Sequence, residues 1–99
     1  MSLPREYPTE EELEGIKKSD PGDVLGRAQA AWNTHYGLVK DEEMPDMLAR
    51  PLVVFVTGGW SGNEDVIEAM RANHLFWILY WESSNRGGRH AFFAAAPER

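Results

Sequence analysis

Residues 57–63, Thr-Gly-Gly-Trp-Ser-Gly-Asn, are the part of the sequence best suited to contact a ligand or a partner. They join a predicted strand to a predicted helix, where exposed backbone N–H groups and the helix dipole favour an anion. The segment is no P-loop, because the lysine of that motif is missing, and Glu64 and Asp65 place negative charge where a phosphate would lie. Trp60 is an aromatic platform for a base or a protein. In the structural alternative, Ser61 merely caps the helix and Trp60 folds onto the core.

Residues 85–90, Asn-Arg-Gly-Gly-Arg-His, form a second candidate for recognition. Arg86 and Arg89 flank a glycine pair at a predicted hairpin tip, and exposed arginines can fork onto a carboxylate or a phosphate. The alternative is a solubilising loop in which the glycines supply positive φ angles. Both interpretations stay open from sequence alone.

The sequence offers few catalytic groups. His35, His74 and His90 are far apart and have no metal-ligand spacing. Ser61 does not fit the Gly-x-Ser-x-Gly nucleophile elbow, because asparagine stands at the second glycine position. The chain also has no cysteine, which excludes disulfides, thiolate metal sites and thiol nucleophiles. We therefore expect no catalytic residues, no metal and no cofactor, and a protein that is not an enzyme.

The charge of the chain is unevenly distributed. Residues 1–49 hold five basic and eleven acidic side chains, whereas residues 50–99 hold five of each, so the first half carries the whole net charge of −6. We do not expect nucleic acid as a partner, since proteins that bind nucleic acid usually need a basic surface. The acidic surface either keeps the protein in solution or docks on the basic groove of a protein that binds nucleic acid.

No apolar run approaches the roughly 20 residues that cross a bilayer. The first residues lack the apolar stretch of a signal peptide. From these features we expect no membrane association and a cytoplasmic location.

The pattern of apolar residues predicts a single α/β (α+β) domain over residues 1–99, with element order ααβαββ. Residues 1–8 are predicted to be an extended lead-in segment, residues 9–49 an acidic helical part, and residues 50–96 a β-α-β-β core. Helices are predicted at 10–18, after a Thr9–Glu12 capping box, and at about 21–35 with Gly37 as the stop. A further helix is predicted at about 62–72, with a second capping box at Ser61–Glu64 and with Asn73 at its C-terminal end. A single helical turn is also predicted at 46–49. Strands are predicted at 52–57, 75–81 and 89–95, in a three-stranded mixed sheet with helices packed on it.

Aromatic residues are predicted on both faces of this sheet. Trp77, Leu79 and Trp81 would share one face of their strand, and Phe76, Ile78 and Tyr80 the other. This is more apolar surface than short helices can cover, so a second copy or another protein should bury the rest. A homodimer is the simpler expectation.

The Thr57–Glu64 box (TGGWSGNE), the Phe76-Trp77 pair and the Arg86-Gly87-Gly88 turn resemble a group of small uncharacterised proteins of actinobacterial phages and prophages. The resemblance covers roughly residues 50–93. It implies a phage accessory protein, acting in an infected or lysogenic bacterial host, but no activity and no residue roles. The Arg89-His90 pair departs from the group, in which a histidine directly follows the glycines.

These observations lead to two alternative functions. The first is a small phage-type accessory binding protein that interacts with a host protein. The second is a pocket for a small anionic ligand such as a nucleotide. The candidate binding residues are the loop, one strand aromatic and the two arginines: Thr57, Gly58, Gly59, Trp60, Ser61, Asn63, Trp81, Arg86 and Arg89.

Overall fold

The computed structural model describes residues 7–43 and 51–95, which form an α+β fold. In this part of the chain the element order is ααββααββ, with a short 3-10 helix (Pro21–Asp23) before the second α-helix. The elements are α1 (Glu10–Lys18), α2 (Val24–Ala31), β1 (Leu38–Glu43), β2 (Pro51–Val56), α3 (Ser61–Ala72), α4 (His74–Tyr80), β3 (Trp81–Asn85) and β4 (Arg89–Phe93). None of the described helices is long and apolar enough to cross a membrane.

The sheet has four strands in the order β1-β2-β4-β3, and every neighbouring pair is antiparallel. The predicted three-stranded mixed sheet and the order ααβαββ are therefore wrong. A parallel pair required a strand at residues 75–81, but residues 74–80 form a helix. Two strands that were not predicted, β1 and β3, take the outer positions, and β2 and β4 pair at the centre.

The residue that makes residues 74–80 helical is Asn73. Its side-chain oxygen accepts a hydrogen bond from the Phe76 N–H (3.2 Å), so it caps α4, while its Nδ2 donates to the carbonyls of Ile16 (3.0 Å) and Ser19 (2.8 Å). Asn73 is also the C-cap residue of α3, which confirms the predicted C-terminal end of that helix. The apolar run that follows is short, and a run of this length fits a buried strand or a buried helix equally well. The Asn73 cap favours the helix over the strand.

Strand β1 lies in a segment for which the sequence predicted only loop and one helical turn. Its residues pair antiparallel with β2, from Leu38 opposite Val56 to Glu43 opposite Pro51. The strand is rich in charge, which suits the edge of a sheet because charged side chains discourage pairing with another chain. The helical turn predicted at 46–49 lies outside the described residues.

The N-terminal helices follow their local signals in part. The Thr9–Glu12 capping box is confirmed: Glu12 N–H donates to Thr9 Oγ1 (3.1 Å), and Thr9 N–H donates to Glu12 Oε1 (2.9 Å). The second helix ends at Ala31 rather than near His35. Beyond Trp32, the Asn33 side chain accepts a hydrogen bond from the His35 N–H (2.9 Å), which fixes a turn instead of a further helical turn.

The two faces of the sheet bury different clusters. The helices cover one face, where Val53, Phe55 and Phe92 pack against buried residues of all four α-helices. On the other face Leu52, Val54 and Ala91 are buried. Arg89 of β4 and Glu42 of β1 form an ion pair (3.1 Å) across the intervening strand β2. Because Arg89 pairs with Val56 and Glu42 with Leu52, their side chains meet above Val54 and shield it from water.

Candidate functional site

The two glycine-rich turns predicted as separate candidates meet in the structure. The Thr57 N–H donates to the carbonyl of Gly88 (3.0 Å), and the Thr57 side chain is buried. Gly88 has φ +80°, and a Cβ atom at this position would overlap Thr57 Oγ1. A side chain larger than hydrogen is therefore excluded at Gly88 by both conformation and space. The loop after β2 is held against the tip of the β3–β4 hairpin.

Asn63 connects this junction to the segment after α2. Its side chain is fully buried in the first turn of α3. Oδ1 accepts from the Asn33 N–H (2.9 Å), and Nδ2 donates to the carbonyls of Asn33 (3.1 Å) and Thr57 (3.3 Å). Both amide hydrogens are thus engaged within the protein. Asn63 positions three chain segments and has no N–H left for a ligand.

Trp60 lies at the centre of an aromatic cluster, which we define as Tyr7, Tyr36 and Trp60. The Trp60 ring stacks on Tyr36 (centroids 4.9 Å apart, planes at 19°) and contacts Tyr7 on a tilted plane (4.9 Å, 34°). The indole also lies against Gly62, where a Cβ would overlap the ring. The indole is therefore held in place by its neighbours, and the exposed parts of the cluster belong mainly to the tyrosines: Tyr7 is 52% and Tyr36 46% exposed.

Ser61 does not cap α3. Trp60 is the N-cap residue, since its carbonyl accepts the first helical bond from the Glu64 N–H (3.1 Å), and no side chain caps this end. The predicted Ser61–Glu64 capping box is therefore wrong. The Ser61 hydroxyl instead lies 3.4 Å from the Tyr7 hydroxyl, which links the start of α3 to the segment before α1. Gly58, with φ +68°, packs its Cα directly on the Tyr36 carbonyl.

The arginines and Trp81 do not join the aromatic cluster. Arg89 points to the sheet face opposite the helices, where it binds Glu42 and the Asn85 side chain (3.0 Å). Arg86 is exposed at the hairpin tip. Trp81, 40% exposed on the outer strand β3, stacks on Trp77 (5.7 Å). Six of the nine candidate residues therefore lie in one contiguous segment, residues 57–63, which ends in the first turn of α3, and the other three lie elsewhere.

A cleft of about 220 Å³ lies between α3 and β4. Its lining residues are Thr57, Glu64, Ile67, Glu68, Arg71, Gly88 and His90. Burial, and next the positive charge of Arg71, lower the pKa of His90 below its ordinary value, against the opposing effect of Glu64 and Glu68. Arg71 is itself bound to Glu68 (3.3 Å). The charge in the cleft is thus mixed, with more carboxylates than free cations.

His90 pairs with Ser84, which belongs to none of the predicted candidate sites. The Ser84 hydroxyl accepts from Trp81 Nε1 (2.9 Å) and lies 2.8 Å from His90 Nδ1, so it can donate its proton to the neutral imidazole. Within the described residues no carboxylate bonds to this ring, so two members of a Ser–His–acid relay are present and the third is not. Their positions in the sequence could have indicated this pair, because Ser84 and His90 are equally far from Gly87 and therefore lie opposite each other in the hairpin.

Tyr7 and Tyr36 were also missed. Neither belongs to a motif, and they reach Trp60 only through the packing of the chain. Among the described residues no three His, Asp or Glu side chains are placed to hold a metal ion. No family model, curated protein or solved structure matches the chain.

Proposed function

We propose that this chain is a small accessory binding protein of the phage type, which contacts a host protein in the cytoplasm of an infected bacterium through its aromatic cluster. The observation that carries the proposal is the pair of half-exposed tyrosines on Trp60, of which Tyr36 is stacked on the indole and Tyr7 contacts it on a tilted plane. Tyrosine and tryptophan are enriched among the residues that dominate binding energy at protein interfaces. The phage-type assignment derives from the TGGWSGNE box and the RGG turn.

Contacts inside the protein hold the aromatic cluster in one arrangement, which favours binding. Asn63 ties the Asn33 backbone, and so the turn that leads to Tyr36, to the loop that carries Trp60. Gly58 packs on the Tyr36 carbonyl from the same loop. Rings that are already held in one arrangement lose little conformational freedom when a partner covers them. The same contacts in a flexible loop would bind more weakly.

The alternative function, a pocket for a small anion, has less support from the arrangement of charges. The cleft beside the loop is lined by Glu64 and Glu68, and its arginine is bound to one of them. Arg89 is bound to Glu42 on the opposite face of the sheet. An anion in the cleft would meet carboxylates at close range with no uncommitted arginine, which disfavours its binding.

A capture experiment tests the host-protein proposal. Immobilised wild-type protein is incubated with actinobacterial lysate, with excess soluble protein as competitor, and compared with Tyr36→Ser and Ile78→Ser. Tyr36→Ser should lose the saturable partner, whereas Ile78→Ser should retain it, although this apolar side chain on α4 is more exposed (75%) than Tyr36 (46%). Retention by Tyr36→Ser, or equal loss by both variants, would contradict the proposal.

We further propose a homodimer, formed by an apolar ridge, the α4 ridge, that consists of Leu75 and Ile78 on α4 and Trp81 at the start of β3. These side chains are 58%, 75% and 40% exposed, while Phe76 and Tyr80 on the inner face are buried. The predicted exposed apolar surface is thus present, although most of it lies on helix α4 and only Trp81 belongs to the sheet. A two-fold axis beside α4 would pack the ridge of one copy against the same ridge of the second copy, as an isologous interface requires.

The mass of the particle in solution tests the dimer. Sedimentation equilibrium of the 11.2 kDa chain should give twice this mass at micromolar concentration, and Ile78→Glu should return it to the monomer. Tyr36→Ser should stay dimeric, which separates the two surfaces. A wild-type monomer at every concentration would rule the dimer out.

A further inference from the structure

Two helices begin next to the aromatic cluster, and both carry acidic side chains near their starts, which we call the acidic border. Helix α1 begins three residues after Tyr7, with Glu10 and Glu11 in its first turn. Helix α3 begins directly after Trp60, and Asp65 lies one helical turn beyond Ser61, whose hydroxyl approaches Tyr7. All three carboxylates are exposed. Within the described residues none of the three forms an ion pair.

The negative charge of this border exceeds what the helix ends require. Acidic residues in a first turn complement the helix dipole, which supplies about +0.5 of an elementary charge at each N-terminus. Two helix ends supply about +1 together. The three carboxylates carry −3, so a net charge of about −2 remains beside the exposed tyrosines.

The described basic residues of these helices lie away from the border. Lys17 is seven residues along α1 from Glu10, about 10 Å by helical rise, and is bound to Glu14. Arg71 is ten residues along α3 from Ser61, about 15 Å, and is bound to Glu68. The Arg27 guanidinium lies against Gly15, at the middle of α1. Charges at about 10 Å are largely screened at physiological salt.

We infer that the aromatic cluster binds an arginine-bearing basic segment of its protein partner; this inference rests on the proposed function. A guanidinium can stack on a tyrosine ring and at the same time fork onto a neighbouring carboxylate, which is the combination that Tyr7, Tyr36 and the acidic border present. A lysine ammonium satisfies the charge but has no plane to stack and no fork. The site therefore selects arginine over lysine.

Fluorescence anisotropy with two labelled peptides tests this selection. One peptide alternates glycine with three arginines and the other alternates glycine with three lysines, so that length and charge are equal. The arginine peptide should bind wild-type protein at least threefold more tightly. Tyr36→Leu, which keeps apolar volume but removes the ring, should weaken the arginine peptide about threefold. Equal affinities for the two peptides would overturn the inference.

A matched pair of double variants separates the local border from the overall charge of the protein. Glu10→Gln with Asp65→Asn neutralises the border, and Asp20→Asn with Asp23→Asn makes the same change in net charge at residues whose side chains cap no helix. The border variant should weaken the arginine peptide about three- to tenfold, and the control less than twofold. Equal weakening by the two variants would show non-specific attraction and overturn the inference.

The lysate experiment distinguishes the failure of this inference from the failure of the proposed function. If Tyr36→Ser loses the host protein but excess arginine peptide does not compete for it, the binding surface stands and the arginine chemistry is wrong. If Tyr36→Ser keeps the host protein, the surface itself is wrong, and the inference falls with it.

Discussion

Replacing Asn63 by alanine should destabilise the fold by about 3–4 kcal/mol. The buried side chain makes three hydrogen bonds, to the Asn33 N–H, the Asn33 carbonyl and the Thr57 carbonyl. Each intramolecular hydrogen bond contributes about 1 kcal/mol, so three give about 3 kcal/mol, and the small cavity adds to this. A domain of this size has a total stability of about 5–15 kcal/mol. The variant should therefore fold with a much reduced margin.

Urea denaturation followed by tryptophan fluorescence and by circular dichroism measures this loss. The matched control is Asn85→Ala, whose exposed side chain only accepts from Arg89, and which should change stability by less than about 0.5 kcal/mol. If Asn63→Ala costs less than about 1 kcal/mol, similar to the control, the reasoning is refuted. Asn63 would then be available to a ligand, as its place among the sequence candidates implied.

Three further predictions concern the junction, the cleft and the core. Gly88→Ala should cost at least about 2 kcal/mol more in urea denaturation than Gly87→Ala, because both have positive φ but only Gly88 packs on Thr57; equal losses would argue against the junction. The pKa of His90 is lowered in the folded state, so the unfolded chain takes up this proton first and stability should fall as pH drops below about 6.5 toward the lowered pKa. His90→Gln should remove that part of the decline between pH 7.5 and 5.5, and an unchanged profile would contradict the assignment. Trp32→Phe should change stability by less than about 1 kcal/mol, since it removes a buried Nε1 donor that has no partner in the described part of the chain, whereas Trp32→Ala should cost about 3–5 kcal/mol.

Elements with strong local signals were predictable from the sequence. The Thr9–Glu12 capping box gave the bounds of α1, and the β-branched run before Gly58 gave strand β2 to within one residue at each end. Helix α3 was also placed correctly, although Ser61 is not its cap. In each case the deciding interactions lie within a few residues in sequence.

Elements decided by distant contacts were not predictable. Helix α4 has a local N-cap, the bond from the Phe76 N–H to Asn73, but the sequence also fits Asn73 to the end of α3. The bonds that hold the Asn73 amide on the end of α1 span 54 and 57 residues, and no local pattern reveals them. Strand β1 is charged and would not form alone; it exists because β2 offers it an edge. With α4 helical, the predicted β-α-β-β layer is lost and the sheet becomes fully antiparallel.

The candidate site was predicted in part for the same reason. The sequence identified Trp60 and the loop that carries it, because glycines and an aromatic residue are adjacent there. It assigned Asn63 to binding, although burial makes Asn63 a structural residue. It missed Tyr7 and Tyr36, which reach Trp60 only when the chain is folded. Local composition thus located the site but did not reveal its surface.

A photo-crosslinking comparison at three positions tests most directly whether the aromatic cluster is the contact surface. Benzoylphenylalanine is placed at position 36 in the cluster, at 78 on the α4 ridge and at 86 on the hairpin tip, and each protein is irradiated in host lysate. A host-protein adduct should form from position 36 and be suppressed by excess unlabelled protein, while position 78 should give the crosslinked homodimer. A host adduct from position 86 or 78 with none from position 36 would contradict the account.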